Sequence, residues 1–157
     1  MGIVDEESMS GKVSPGTLKL LQTVSKELQN LHLHKEVIKE QLDEISSKLT
    51  PNLRALVGPE LTARLVDLAG SLEKLASIPA STIQLLGAKK ALFRHLVSGA
   101  KSPKHGIIIM HPLVKKSREK GRVARMIADK VAIAARVDFF KGEFCGDALL
   151  KIIEDKL

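Results

Sequence analysis

Three features of the sequence point to an all-α chain. Hydrophobic residues make up 44% of its 157 residues but aromatics only 3%, with no Trp and no Tyr, so a core must rest on Leu, Ile, Val and Ala. That composition suits helices better than β-sandwiches. Apolar residues recur at three- and four-residue steps along most of the chain, the spacing of one helix face. Pro51, Pro59, Pro79 and Gly87 punctuate these stretches, and no two segments read as a convincing pair of strands. The length fits one globular core with an extension.

Residues 1 to 16 mix Gly, Ser, Pro and acids without periodicity and read as a disordered tail. From Thr17 to Leu49 the apolar residues fall into heptads: Leu21, Val24, Leu28, Leu31, Ile38, Leu42, Ile45 and Leu49, with Lys35 alone breaking the seam. A 3.5-residue period kept up for about four heptads reads as a coiled-coil or hairpin helix, and a lone charge in the seam can specify register or partner. A helix packed on its own domain would show the same pattern. Self-association through residues 17–49 is one expected use of the seam. Pro51 ends this helix, because it lacks an N–H donor and restricts Thr50.

A second helix is predicted from Pro59 to Ala76, with Leu61, Leu65, Leu68, Leu72 and Leu75 at helical spacing and Glu60 in its first turn. Pro79 breaks the chain again, and Ser81 or Thr82 could cap a short helix through Leu86. After Gly87, Ala88 to Val97 resumes a helix carrying Lys89, Lys90 and Arg94. Gly99 to Gly106 is a loop by composition, and Ile107 to Met110 reads as buried and extended. The basic stretch Lys115 to Lys120 leads into the longest helix of the core, Ser117 to Phe140. A short amphipathic helix with Asp147 as N-cap carries Leu150, Ile153 and Leu157 to the end, for six or seven helices in all.

Positive charge is concentrated in one region. Between Lys89 and Arg136 stand thirteen Lys/Arg against two acids, whereas the rest of the chain is net acidic, within an overall +7. Clustered cations gain affinity for a polyanion by releasing its condensed counterions, so RNA or DNA is the first partner to consider. The scarcity of aromatics argues against stacking platforms for single-stranded bases, so binding would use backbone and shape. On a helical wheel Arg118, Arg122, Arg125, Asp129 and Arg136 share a narrow band opposite Val123, Ile127, Val131 and Ala134. Such a band is often only a solvated face. Here its near lack of acids and the flanking Lys115, Lys116 and Lys120 favour an anion-binding surface, since guanidinium forks suit phosphate.

Other chemistries find little support. The single Cys145 cannot form an internal disulfide and the N-terminus lacks signal-peptide order, so an intracellular setting is expected, cytoplasmic in an archaeal-type cell and nuclear in a eukaryote. The longest apolar run, Ile107 to Met110, is far too short to span a membrane. His32, His34, His95, His105 and His111 lack metal-ligand spacing, and His111 reads from its neighbours as a capping or core-edge residue. No phosphate-binding glycine motif, nucleophile elbow or carboxylate pair occurs, so neither a cofactor nor an enzymatic activity is expected.

The string from PNLRALVGPELTARLVDLAGSLEKLASIPASTIQLLGAKKALFRHL through SPKHGIIIMHPLV to KGRVARMIADKVAIAARVDFFKGE resembles the Nop domain, block after block over about a hundred residues. Similar domains occur in the archaeal Nop protein of box C/D ribonucleoproteins, in its nucleolar relatives and in a spliceosomal pre-mRNA-processing factor. The resemblance implies an all-helical Nop domain over 51–157, preceded by a single coiled-coil-type helix over 17–50. It implies recognition of a kink-turn RNA already held by a small protein related to ribosomal kink-turn binders. It assigns RNA contacts to Gly87, Ala88, Lys89 and Lys90 at a helix start, where backbone N–H groups can meet phosphate, to His111, and to Arg122 and Arg125 in the GRVAR block. Lys115, Lys116 and Arg118 join them on charge. The archaeal and nucleolar members usually carry an acid where Lys89 stands, so the subfamily stays open. Full-length members also place a fibrillarin-binding domain and a longer coiled coil ahead of this region, so fibrillarin recruitment is not expected of this stretch. The rival expectation is a coiled-coil interaction module whose basic face keeps it soluble.

Overall fold

The computed structural model describes residues 14–156. Within them lie nine α-helices and one 3-10 turn, with no strand, so the chain is all-α. It divides into two compact units, residues 1–38 and 39–157. The first described helix, α1 (Pro15–Leu49), begins two residues before the predicted start. Ser14 accounts for this, since its Oγ accepts the backbone N–H of Thr17 at 3.2 Å. The rest of the predicted tail, residues 1–13, lies outside the described residues. In the first unit the heptad residues Leu21, Val24, Leu28, Leu31 and Ile38 are all exposed.

The second unit opens with the last turns of α1. Asp43 there receives Arg54 Nε and Nη2 at 2.7 and 2.8 Å, a two-pronged ion pair onto α2 (Pro51–Val57). Pro51 does end α1, but it also starts α2, which was not foreseen; proline's fixed φ suits the first helical position. The long predicted helix Pro59 to Ala76 is two helices, α3 (Pro59–Ala69) and α4 (Leu72–Ser77). Gly70 takes φ +95°, a left-handed terminus, and Ser71 Oγ caps the new start by accepting Lys74 N–H at 3.1 Å. Helix α5 (Ala80–Leu85) is capped by Pro79, so Ser81 and Thr82 lie inside it. Helix α6 (Lys89–Ser98) follows Gly87 and buries none of its residues.

Ile107–Met110 is a 3-10 turn and not an extended segment, with Ile108 fully buried beneath it. Helix α7 (Pro112–Lys116) is also new, and the central α8 (Lys120–Phe139) starts three residues later than predicted, leaving Ser117, Arg118 and Glu119 outside it. Helix α9 (Gly146–Glu154) follows an N-cap at Cys145, with Asp147 in its first turn instead. Leu157 lies outside the described residues.

The core forms around α8, against which α2, α4, α5, α7 and α9 pack. Its inner face buries Val123, Ile127, Val131 and Ala134, and the small Ala124, Ala128 and Ala135 let neighbours approach closely. Leu53, Leu56, Leu65, Leu75 and Ile83 from the surrounding helices complete an aliphatic cluster. At the far end of α8, Asp138 accepts the backbone N–H groups of Asn52 and Leu53 at 3.0 and 2.9 Å and Asn52 Nδ2 at 2.8 Å. Asn52 Oδ1 in turn accepts Cys145 N–H at 2.6 Å, so one buried carboxylate ties α8 to α2 and, through Asn52, to α9. Among the described residues no helix is long and apolar enough to cross a membrane.

Candidate nucleic-acid interface

Gln84, the penultimate residue of helix α5, organises the basic surface. Its Nε2 donates to the carbonyl of Lys104 at 2.6 Å and lies 3.4 Å from that of Gly121, while its own carbonyl accepts Gly106 N–H at 2.7 Å. Gly106 is required here, because a Cβ would overlap the Leu86 carbonyl. The loop 99–106 is thereby drawn against the start of α8. Ser117 Oγ accepts Glu119 N–H at 3.0 Å and turns the chain into α8.

These bonds shape an open concavity of about 760 Å³ lined by Gln84, Lys104, His105, Arg118, Glu119, Lys120, Gly121, Arg122 and Arg125. Five cationic side chains face one carboxylate, that of Glu119, which pairs with Arg122 Nη1 at 3.2 Å. Both partners of this pair are about two-thirds exposed, so it is weak and readily exchanged for another anion. Phosphate oxygens match such a surface, because several cations can meet neighbouring charges without a buried desolvation penalty.

The structure brings together Arg118, Arg122 and Arg125 as lining residues, although Arg118 reaches the site from the loop before α8. Lys115 and Lys116 stand exposed in the last turn of α7. Gly87, with φ +84°, and Ala88 lead into α6, whose first turn exposes Lys89 and Lys90. They do not line the concavity; Gly87 packs against the turn that follows its loop, where an added Cβ would lie 3.5 Å from the backbone N of Ile107. Arg136 keeps its place on the exposed side of α8 but lies away from the concavity, where its Nε donates to the Ala76 carbonyl at 3.1 Å and closes the end of α4.

His111 is mostly buried, and both of its ring nitrogens are engaged. It is 6% exposed, its Nε2 lies 3.2 Å from the Leu56 carbonyl, and its Nδ1 accepts Leu113 N–H at 3.3 Å as the cap of α7. A carbonyl can only accept, so the proton sits on Nε2 and the ring is neutral. Burial pushes its pKa below the usual histidine value, opposed by the bond to Leu56. The capping role inferred from its neighbours is the one its contacts display, and the little surface it keeps opens on a second groove and not on the basic concavity.

Lys104, His105 and Gln84 were missed as lining residues, whereas Lys120 had been read as a cation flanking the stripe. Lys104 and His105 had a signal in the matching SPKHG segment; Gln84 had none, because its contacts lie 20 and 37 residues away. A second groove, about 480 Å³, is walled by Leu42, Val57, Leu61, Met110, His111 and Pro112, with Lys39, Glu40, Asp43 and Glu60 also lining it. Its three acids outnumber Lys39, so it suits a polyanion less than the basic concavity does. Among the described residues no cluster of His, Cys, Asp and Glu could hold a metal ion.

Known proteins share this fold and sequence. The Nop family model, described as snoRNA binding domain, fibrillarin, matches residues 1–157. An uncharacterised NOP5 family protein of Methanocaldococcus jannaschii is 42% identical over 154 residues, 97% of this chain and 37% of the relative. Nucleolar protein 56 of Caenorhabditis elegans is 37% identical over 155 residues, 96% of this chain and 32% of the relative. Nucleolar protein 58 of Candida albicans is 39% identical over 140 residues, 88% of this chain and 27% of the relative. The chain thus spans about a third of the length of these relatives. A chain from the crystal structure of a fibrillarin/Nop5p complex superposes with a TM-score of 0.67 at 33% identity, over 92% of this chain and 54% of its own length. With the family model matching from end to end and relatives above 30% identity along almost its whole length, the chain belongs to the Nop family.

Proposed function

We propose that this chain is a noncatalytic RNA-binding module of a ribonucleoprotein particle. The observation that carries this reading is the concavity at the start of α8, where Lys104, Arg118, Lys120, Arg122 and Arg125 converge against Glu119 alone. The family's description as a snoRNA binding domain supports RNA over DNA as the polyanion. The RNA backbone occupies the concavity, and the lysines at the start of α6 extend its track.

At finer detail, the target is a kink-turn RNA of a box C/D or splicing-type particle, already held by a small ribosomal-type kink-turn-binding protein. The exposed Phe93, Leu96 and Val97 of α6, beside Lys89, Lys90 and Arg94, form the apolar surface that would meet that protein. Charge then supplies attraction, while selectivity comes from RNA shape and from the protein bound to it. The structural neighbour from a fibrillarin/Nop5p complex lends no support to the expectation that fibrillarin stays away, so binding to fibrillarin belongs in the same experiments.

A gel-shift assay tests the assignment, using a kink-turn RNA with and without its primary binding protein. The expected result is a supershift that needs both components; no supershift with both present overturns it. A coiled-coil interaction module is the second reading, favoured by the exposed heptad residues of α1. Salt separates the two: RNA capture weakens steeply as ionic strength rises, whereas a heptad pairing barely changes.

A further inference from the structure

Lys104 is clasped by two residues distant from it in sequence. Its carbonyl accepts Gln84 Nε2 at 2.6 Å, and the same Nε2 lies 3.4 Å from the carbonyl of Gly121. Its side chain lies across Gly121, where an added Cβ would stand 3.3, 3.7 and 3.4 Å from Lys104 Cβ, Cγ and Cδ. The loop cannot readily yield to that Cβ, because two residues on Gly106 N–H is bonded to the Gln84 carbonyl at 2.7 Å. Backbone conformation gives no reason for a glycine here. Gly121 is the second residue of α8 and is not among the residues with positive φ, so alanine, the best helix former, would suit the backbone. Lys104 is itself exposed and takes part in none of the ion pairs found among the described residues, so seating it brings the fold no salt bridge. We infer that Gly121 and Gln84 are positioning residues for Lys104: the glycine leaves a seat for its stem, the glutamine amide fixes its backbone, and the cation is held at the concavity before RNA arrives. A free lysine side chain loses rotamer freedom when it grips a phosphate, so a seated one binds at a smaller entropic cost. The inference rests on the concavity being the RNA surface proposed above.

The test is a double-mutant cycle on the full chain, titrated against a kink-turn RNA with its primary binding protein at several salt concentrations. K104A should weaken binding about fivefold at low salt and lower the salt slope by about one unit, whereas K104R should keep the slope. G121A and Q84M leave Lys104 in the chain, yet each should weaken binding by about threefold, because the cation is no longer held in place. Neither should weaken it further once K104A is present. Circular dichroism should find G121A as helical as the parent, since alanine favours the helix. If G121A and Q84M bind as the parent does, or if their losses simply multiply with that of K104A, the positioning role is overturned and the RNA reading stands. A parent that captures no RNA overturns both.

Discussion

At the C-terminal end of α8 the Asp138 carboxylate is only 8% exposed and satisfies three N–H donors at the start of α2, whereas at its N-terminal end Lys120, Arg122 and Arg125 stand in solvent beside a single weakly paired acid. The difference is one of purpose. A carboxylate at the first N–H groups of α2 meets the positive end of that helix and unpaired donors, so it stabilises the fold. Cations crowded at the start of α8 meet the positive end of their own helix and one another, so they cost stability. Local features that oppose the fold are expected where a ligand is bound. An incoming phosphate relieves both the repulsion and the unfavourable helix end.

The comparison breaks most easily at Asp138. D138A leaves three donors without an acceptor, so it should destabilise the chain by about 3 kcal/mol, read as a fall in thermal or denaturant midpoint. D138N, which keeps one accepting oxygen, should lose less. At low temperature, where the variant stays folded, RNA affinity should be unchanged; a parallel loss of affinity would show that the two ends are not independent.

The opposite result is expected from R122E/R125E. Reversing both charges should weaken RNA binding about a hundredfold at low salt, while the thermal midpoint holds or rises. Retained binding would remove the concavity from the interface. The single R122A variant is gentler: the slope of log affinity against log salt should drop by about one unit, for one lost phosphate contact. An unchanged slope would mean that Arg122 meets no phosphate.

His111 sharpens the comparison through pH. Its folded pKa is depressed by burial, so below about pH 6.5, the ordinary histidine value, the unfolded chain takes up a proton that the folded chain refuses. Stability should therefore fall as pH drops below that value and be constant above it as far as this residue is concerned. H111Q keeps a donor for the Leu56 carbonyl and should flatten the acid side of the profile. An equally steep profile in H111Q would assign the dependence to other groups.

Particular residues show how far the sequence could be read. Val123, Ile127, Val131 and Ala134 were legible as the buried face of α8 because a helix repeats its surroundings every 3.6 residues, and all four are at most 2% exposed. The break at Gly70 and Ser71 had local cues, a glycine followed by a capping serine, which the leucine periodicity across it masked. Ile107–Met110 was misjudged because a four-residue apolar run has no period, and hydrogen bonds from Gly106 and Ile107 to Gln84 and Leu86 wind it against α5. Arg118 was placed on the stripe by arithmetic that assumed an unbroken helix, whereas it precedes α8; Arg136 does share the exposed side, but its bond to Ala76 was not legible.

By itself the sequence determined the all-α class, the proline and glycine breaks, the concentration of positive charge after Lys89 and the heptad seam with its single lysine, because each depends on residues close along the chain. Only the tertiary structure decided which cations share a surface and that His111 is buried. Those outcomes hang on bonds such as Gln84 to Lys104, Arg136 to Ala76 and His111 to Leu56, spanning 20, 60 and 55 residues, and a contact between such distant positions leaves no local pattern to read.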